Sequence, residues 1–245
     1  MPKLIFALLI IISNASIADE INFSSGVNKT QLLELYTSQG CSSCPPAENW
    51  FNRLTEHELL WTEIIPVSFH VDYWDYLGWD DPFAKPEYSQ RQRAHGASAN
   101  MAVYTPGFVM NGSEWRNFFN AFGNPSITPL VNSEEIGDLK VNLEDNALSG
   151  LFNTNKFATK EPLILNVAVL GFDLETNILR GENGGRTIEH DFVVLHHQQL
   201  ASDIKSWRSE LPSELLQSSQ KLALAAWVSE PKKPTPIQAT GGWLN

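Results

Sequence analysis

The feature that most constrains this chain is residues 32–50, LLELYTSQGCSSCPPAENW, which hold its only two cysteines, Cys41 and Cys44, with two residues between them. Leu32, Leu33, Leu35 and Tyr36, interrupted by Glu34, read as a short strand buried on both faces. Residues 37–40 turn. Pro45 and Pro46 suit the first turn of a helix, where their missing N–H groups would have had no intrahelical partner. The helix is expected from Ala47 to about Glu58, with Trp50, Phe51 and Leu54 as its apolar stripe. Residues 64–71 supply the next strand, completing a strand–helix–strand unit that starts its helix at the cysteines.

That position has chemical consequences. Free N–H groups of Ser43 and Cys44 at a helix N-terminus stabilise a thiolate on Cys41 and lower its pKa. Cys41 is thus the candidate nucleophile, and Cys44, one turn in and less exposed, would resolve a mixed disulfide. Two other readings stay open. The pair could be half of a zinc site, with histidines as the remaining ligands because no further cysteine exists. It could equally be an inert disulfide, although so short a loop removes little chain entropy.

The N-terminus bears on that choice. Lys3, the apolar run 4–12 and the small residues Ser16 and Ala18 have the form of a signal peptide, residues 1–18, cleaved near Ala18. The run is shorter than the roughly 20 residues a spanning helix needs, and no later segment is long enough. The expected location is therefore periplasmic or secreted, without stable membrane insertion after processing, where a cysteine pair can be a disulfide. A net charge of -11 and a pI near 4.9 argue against nucleic acid or an anionic membrane surface as partner.

Residues 72–99 form an insertion rich in aromatics and carboxylates, too long for an ordinary connection. A helix is expected within 88–94. His70, Asp72, Trp74, Asp75 and Trp79 could make a substrate lip, with aromatic contact area and carboxylates that adjust proton affinity; the alternative is a packed insertion whose carboxylates cap turns. An apolar strand follows Pro106, Asn111-Gly112 signals a hairpin, and 113–122 read as a helix capped by Ser113 or by the turn itself. The break at 124–129 is the expected domain boundary. Beyond it, the strand patterns at 139–143, 164–172, 188–195 and 222–228 alternate with turn signals, which points to a mainly antiparallel, sandwich-like β domain over 130–245. Residues 181–186, with Glu182 and Arg186, read either as a binding loop or as a glycine-rich turn. His95 has no local partner, and His196 and His197 point to opposite faces of a strand.

Taken together, Glu34-Leu35-Tyr36, Gly40-Cys41-Ser42-Ser43-Cys44-Pro45, the strand ending at His70, and residues 104–112, YTPGFVMNG, resemble a thioredoxin-like α/β domain, here spanning 19–129. More narrowly, TSQGCSSCPPA with HVDYWDYLGW resembles the secreted bacterial family called domain of unknown function 1223. The resemblance implies that Thr105-Pro106 is a cis-proline turn facing the cysteines, with Pro106 leaving a backbone edge free for a substrate chain. It also implies that Glu34 sits near the position where thioredoxin-like domains keep a buried acid that takes a proton from the second cysteine. One extra residue separates Glu34 from Cys41, and a Glu reaching solvent at a strand edge is the competing reading.

The function expected from these features is an exported thiol-disulfide oxidoreductase needing no cofactor. Its partners would be exported protein or small-molecule thiols and disulfides. Cys41, Cys44, Pro106 and Glu34 would be its working residues, and Thr105, His70, Asp72 and Trp74 would contact substrate. Alternatives are a binding module stiffened by a permanent disulfide and a metal-handling protein using both cysteines and a histidine such as His70.

Overall fold

The computed structural model describes residues 20–128, 134–156 and 161–245. The proposed signal segment, with Lys3, Ser16 and Ala18, lies outside them, as does Pro129 of the expected domain break. In chain order the first half contains β1 (Glu20–Ser24), β2 (Gln31–Thr37), α1 (Pro45–Asn52), β3 (Ile64–His70), α2 (Pro86–Ala99), β4 (Gly107–Met110), β5 (Ser113–Glu114) and α3 (Asn117–Asn120). The second half contains β6 (Asp138–Glu144), β7 (Ala147–Asn153), β8 (Leu163–Gly171), β9 (Leu174–Asn177), β10 (Thr187–His190), β11 (Val193–Ser202), β12 (Ser206–Glu210), α4 (Ser213–Leu216), β13 (Leu222–Ser229) and β14 (Pro236–Trp243).

Strands β2 and β3 pair in parallel over their full length, from Gln31↔Ile64 to Thr37↔His70, and every residue of both is buried. Burial on both faces is what their nearly unbroken apolar runs require. Successive side chains leave a strand on opposite sides, so Glu34, Tyr36 and Phe69 face α2, while Thr37 and His70 face α1. On α1, Ala47, Trp50 and Phe51 are buried, with Leu54 following in a 3-10 turn at Arg53–Glu56. Their i, i+3, i+4, i+7 spacing makes one apolar face. Pro45 and Pro46 occupy the first helical positions, as expected, and the α-helix ends at Asn52 rather than near Glu58 because its last turn tightens. Helix α2 buries Tyr88, Gln92 and His95 at i, i+4, i+7 and runs well beyond the expected 88–94.

The two halves are not separate in space. One eight-stranded mixed sheet has the order β14-β13-β8-β11-β3-β2-β4-β5, so it crosses the expected boundary. The junction is narrow: β11 meets β3 in parallel at Val193↔Ser68, supported by Ser68 N–H donating to Phe192 O at 2.8 Å. A second sheet, β1-β6-β7-β12, is antiparallel throughout. Its apolar face, including Leu139, Val141 and Phe152, packs on Leu165, Val167, Leu224 and Ala226 of β8 and β13. This is the sandwich arrangement expected of the second half, but β1 belongs to it although it precedes the cysteines. Gln238 of β14 secures that crossing: its amide donates to Asn28 O and Gly137 O at 2.8 Å and accepts from Thr30 N–H at 2.9 Å.

Two local expectations fail for identifiable reasons. Ser113–Glu114 is a strand paired with β4, not the start of a helix, because the Asn111-Gly112 turn folds the chain back into the sheet. Only Asn117–Asn120 is helical. Residues 188–195 form parts of two strands, because Phe192 adopts φ 59° between β10 and β11.

A buried disulfide turn and the polar cluster beneath it

Cys41 and Cys44 form a disulfide across the turn that leads into α1. Cys44 is the N-cap residue, its carbonyl accepting from Ala47 N–H at 2.9 Å and Glu48 N–H at 3.1 Å. Neither sulfur-bearing residue is openly accessible: Cys41 is 3% exposed and Cys44 0%. Cys41 Sγ lies 3.4 Å from the Ser43 hydroxyl.

A loop from the second half closes over this turn. Asn183, fully buried, donates from Nδ2 to Gln39 O at 2.9 Å and Cys41 O at 3.0 Å. Glu182 Oε2 accepts from Ser42 N–H at 3.2 Å, and the Ser42 side chain first, then this N–H, lower the Glu182 carboxyl pKa. Gly181, at φ +78°, passes Trp79 so closely that a Cβ would stand 3.3 Å from the Trp79 Cβ. The glycine-rich segment is thus both a turn between β9 and β10 and a cover on the cysteines.

The second neighbour is the Thr105-Pro106 turn, whose peptide bond is cis and whose residues are both buried. Trp74 links it to the cysteines: Nε1 donates to Thr105 Oγ1 at 2.7 Å, while a Cβ on Gly40 would meet Trp74 Cβ at 3.2 Å. The residue before Cys41 therefore has to be small for Trp74 to lie against it.

The other expected site residues are elsewhere. Glu34 is fully buried on the α2 face, where Arg91 Nε and Nη2 donate to Oε2 and Oε1 at 2.8 and 2.9 Å. The Tyr36 hydroxyl donates to Oε2 at 2.6 Å, and His95 Nε2 lies 3.1 Å from Oε1. Burial alone pushes the Glu34 carboxyl up, but Arg91 and His95 outweigh it and hold the group well below the usual carboxylate range. The extra residue before Cys41 explains this placement, because a one-residue offset sends a strand side chain to the other face. Glu34 neither reaches solvent nor faces α1, and a carboxyl so held is a poor proton acceptor. His95, which had no local partner in sequence, finds it here.

Asp72 is tied to α2 by the Ser89 hydroxyl, which donates to its Oδ1, and by its own N–H donating to Ser89 Oγ at 3.2 Å. This supports the packed-insertion reading for that residue. His70 is 1% exposed and therefore no part of an open lip. Its Nδ1 lies 2.7 Å from Asp81 Oδ2, the oxygen that also accepts from Gln39 N–H at 2.8 Å. Burial alone would lower the His70 pKa, but Asp81, and to a smaller degree Glu48, raise it above its ordinary value.

Sequence reasoning missed the polar cluster around His70. Glu48 is 3% exposed, with Oε1 accepting from the Thr37 hydroxyl and Oε2 3.3 Å from His190 Nδ1. His190 is 2% exposed, and its Nε2 meets the Gln39 side-chain amide at 3.1 Å. The Gln39 amide oxygen in turn accepts from Trp79 Nε1 at 2.9 Å. One signal was present: Glu48 interrupts the buried stripe of Ala47, Trp50 and Phe51, a position where an unpartnered acid is costly. Asn183 and His190 are brought in by tertiary pairing alone.

Residues 32–229 match the family described as protein of unknown function, DUF1223. No curated protein matches the sequence. Among solved structures, protein AGR_C_4864 from Agrobacterium tumefaciens is similar at 20% identity and a TM-score of 0.58, over 88% of this chain and 94% of that one. HBP35 of Porphyromonas gingivalis is similar at 15% identity and a TM-score of 0.55, over 89% of this chain and 76% of that one. At these identities the likeness concerns the fold.

Proposed function

Because the chain belongs to the DUF1223 family, whose function is unknown, the reading rests on its own chemistry, and we propose that it is an exported thiol-disulfide oxidoreductase built on a thioredoxin-like half. The observation that carries this is the Cys41–Cys44 pair at the N-terminus of α1, directly after parallel strand β2, with the Thr105-Pro106 turn tied to it through Trp74. Support for export comes from the N-terminal run, Lys3, residues 4–12, Ser16 and Ala18, and from the stability of cysteine pairs in oxidising compartments.

In the reductive direction the Cys41 thiolate attacks a substrate disulfide, forming a mixed disulfide and expelling one substrate thiolate. The Cys44 thiolate then attacks Cys41 Sγ, restoring the Cys41–Cys44 bond and expelling the second substrate thiolate. Two electrons pass to the substrate, whose two thiolates take up protons, and an external dithiol resets the pair. Cys41 is the attacking residue because it alone retains any exposure. Trp74 and the Thr105-Pro106 turn border the place where a substrate would lie. Glu34 acts in this reading as part of the frame.

One observation favours a second reading. Both cysteines are nearly inaccessible and Asn183 clamps the turn, as in a permanent disulfide that stiffens a binding module. Equilibration of the full chain in glutathione buffers, followed by thiol trapping, separates the two. The oxidoreductase should cycle fully while folded and lose disulfide reductase activity in Cys41→Ser. A pair that resists reduction in the folded protein, or a Cys41→Ser variant with full activity, sinks the first reading.

A further inference from the structure

Three buried donors converge beneath the cysteine turn without satisfying one another. Glu48 Oε2, His70 Nε2 and His190 Nδ1 each lack a hydrogen-bond partner, although their residues are only 3%, 1% and 2% exposed. Buried polar atoms are rarely left in that condition. One donor atom from each of the three residues lies within 4.8 Å of the others.

The surroundings orient each donor inward. Asp81 holds His70 Nδ1 at 2.7 Å, which orients the ring and aims Nε2 into the group. Such a carboxylate–histidine pair is the usual support of a metal-bound imidazole. The Thr37 hydroxyl occupies Glu48 Oε1 and leaves Oε2 to face His190. Glu48 Oε2 and His190 Nδ1 stand 3.3 Å apart, comparable to the ~3.3 Å between two donors each about 2.0–2.1 Å from a tetrahedral ion.

We propose that Glu48, His70 and His190 bind a divalent first-row transition ion of the zinc type, at a site distinct from the cysteine pair and independent of its redox role. Two imidazoles and one carboxylate suit such ions, whereas magnesium and calcium take oxygen donors. The disulfide contributes no thiolate ligand. Three protein donors leave a coordination position for water or a substrate atom. His190 sets a condition. With no ion bound, the Gln39 amide donates to Nε2 and the ring proton rests on Nδ1, facing Glu48. An ion at Nδ1 moves that proton to Nε2, so the Gln39 amide must turn its oxygen toward the ring and give up its bond from Trp79 Nε1.

The test uses the full chain, oxidised and stripped with chelator, then titrated with Co2+ and with Zn2+ alone. One equivalent should bind, with cobalt absorption bands of a nitrogen- and oxygen-ligated ion that Zn2+ abolishes. Asp81→Asn should weaken binding about 10–100-fold, and Glu48→Gln should abolish stoichiometric binding. The Cys41→Ser/Cys44→Ser double variant should keep it. Absence of stoichiometric binding at micromolar free metal, loss of binding in the double cysteine variant, or full affinity in Glu48→Gln each overturns the proposal. Should the Glu48 variant fail to fold, nitrogen NMR of the wild-type imidazoles decides: Zn2+ must shift both His70 and His190, and unmoved signals refute the site.

Discussion

Replacing Arg91 with Met tests whether the Glu34 cluster is structural frame or part of the redox machinery. The guanidinium reaches both Glu34 oxygens at 2.8 and 2.9 Å, and the Arg91 and Glu34 side chains are 8% and 0% exposed. It also lies 5.5 Å from the Phe69 ring centre and 5.0 Å from that of Trp227, space that a Met side chain fills. The substitution therefore preserves much of the packing and strands the carboxylate. Breaking a buried pair from one side costs roughly 3–5 kcal/mol. Because Tyr36 and His95 still contact Glu34, the lower end, about 3 kcal/mol, is expected at pH 7. The pH dependence has a definite sign. In the wild type the depressed Glu34 pKa contributes stability above the unfolded value near 4.5, and this is lost as the pH falls below it. Without Arg91, burial is less opposed and the folded-state pKa rises, so the deficit of Arg91→Met is largest at pH 7 and narrows on acidification. Urea unfolding of the oxidised protein at pH 7 and pH 4 measures both effects. Glu34→Gln/Arg91→Met should lose less stability than the sum of the single variants. The Cys41–Cys44 potential should stay within about 10 mV of wild type in Arg91→Met. A loss below about 1 kcal/mol, typical of an exposed pair, or a potential displaced by more than about 30 mV, would refute the assignment of Glu34 to the frame.

Asn183→Ala should cost about 1–3 kcal/mol by leaving the Gln39 carbonyl unpaired and the Cys41 carbonyl with only the Cys44 N–H, and should accelerate reduction of the disulfide by dithiothreitol. An unchanged reduction rate, followed by thiol trapping, would show that the loop does not limit access. Trp74→Phe keeps an aromatic ring but removes the donor to Thr105 Oγ1; a stability loss of about 1 kcal/mol and a lower kcat/KM for protein disulfides are expected. Wild-type kinetics in a reductase assay would exclude Trp74 from positioning that turn. Gly112→Ala places a Cβ 2.6 Å from Thr235 Oγ1 at φ +83°, so a loss of roughly 2–4 kcal/mol should appear as a lower Tm by circular dichroism. An unaltered Tm would mean that Thr235 moves aside without cost.

The strand–helix–strand frame was legible because β2, α1 and β3 carry strong local patterns: apolar runs, two prolines at a helix start, and one apolar helical face. The hairpin at Asn111-Gly112 was legible for the same reason, yet its consequence was not. Ser113 looked like a helix cap, but it is the first residue of the returning strand, where turn chemistry outweighs helical spacing. The division into halves failed at β1, whose partner β6 lies across the break, and at the sheet that joins β3 to β11. No periodicity encodes such pairings. Within the site, Cys41 and Cys44 announced themselves by spacing, and Trp74 by its place in the insertion. The position of Glu34 turned on the parity of a strand, which one inserted residue reverses. His190 and Asn183 stay silent in sequence because their partners are far away along the chain.

The loop clamped on the cysteine turn gives the folding protein a chronology. Glu182 meets Ser42 across a separation of 140 residues, and Asn183 meets Cys41 across 142. A chain that has folded only its first half therefore presents the two sulfurs without this cover. Oxidation of the pair can therefore precede its enclosure. The rate at which a reductant opens the disulfide then serves as a readout of how far the second half has closed.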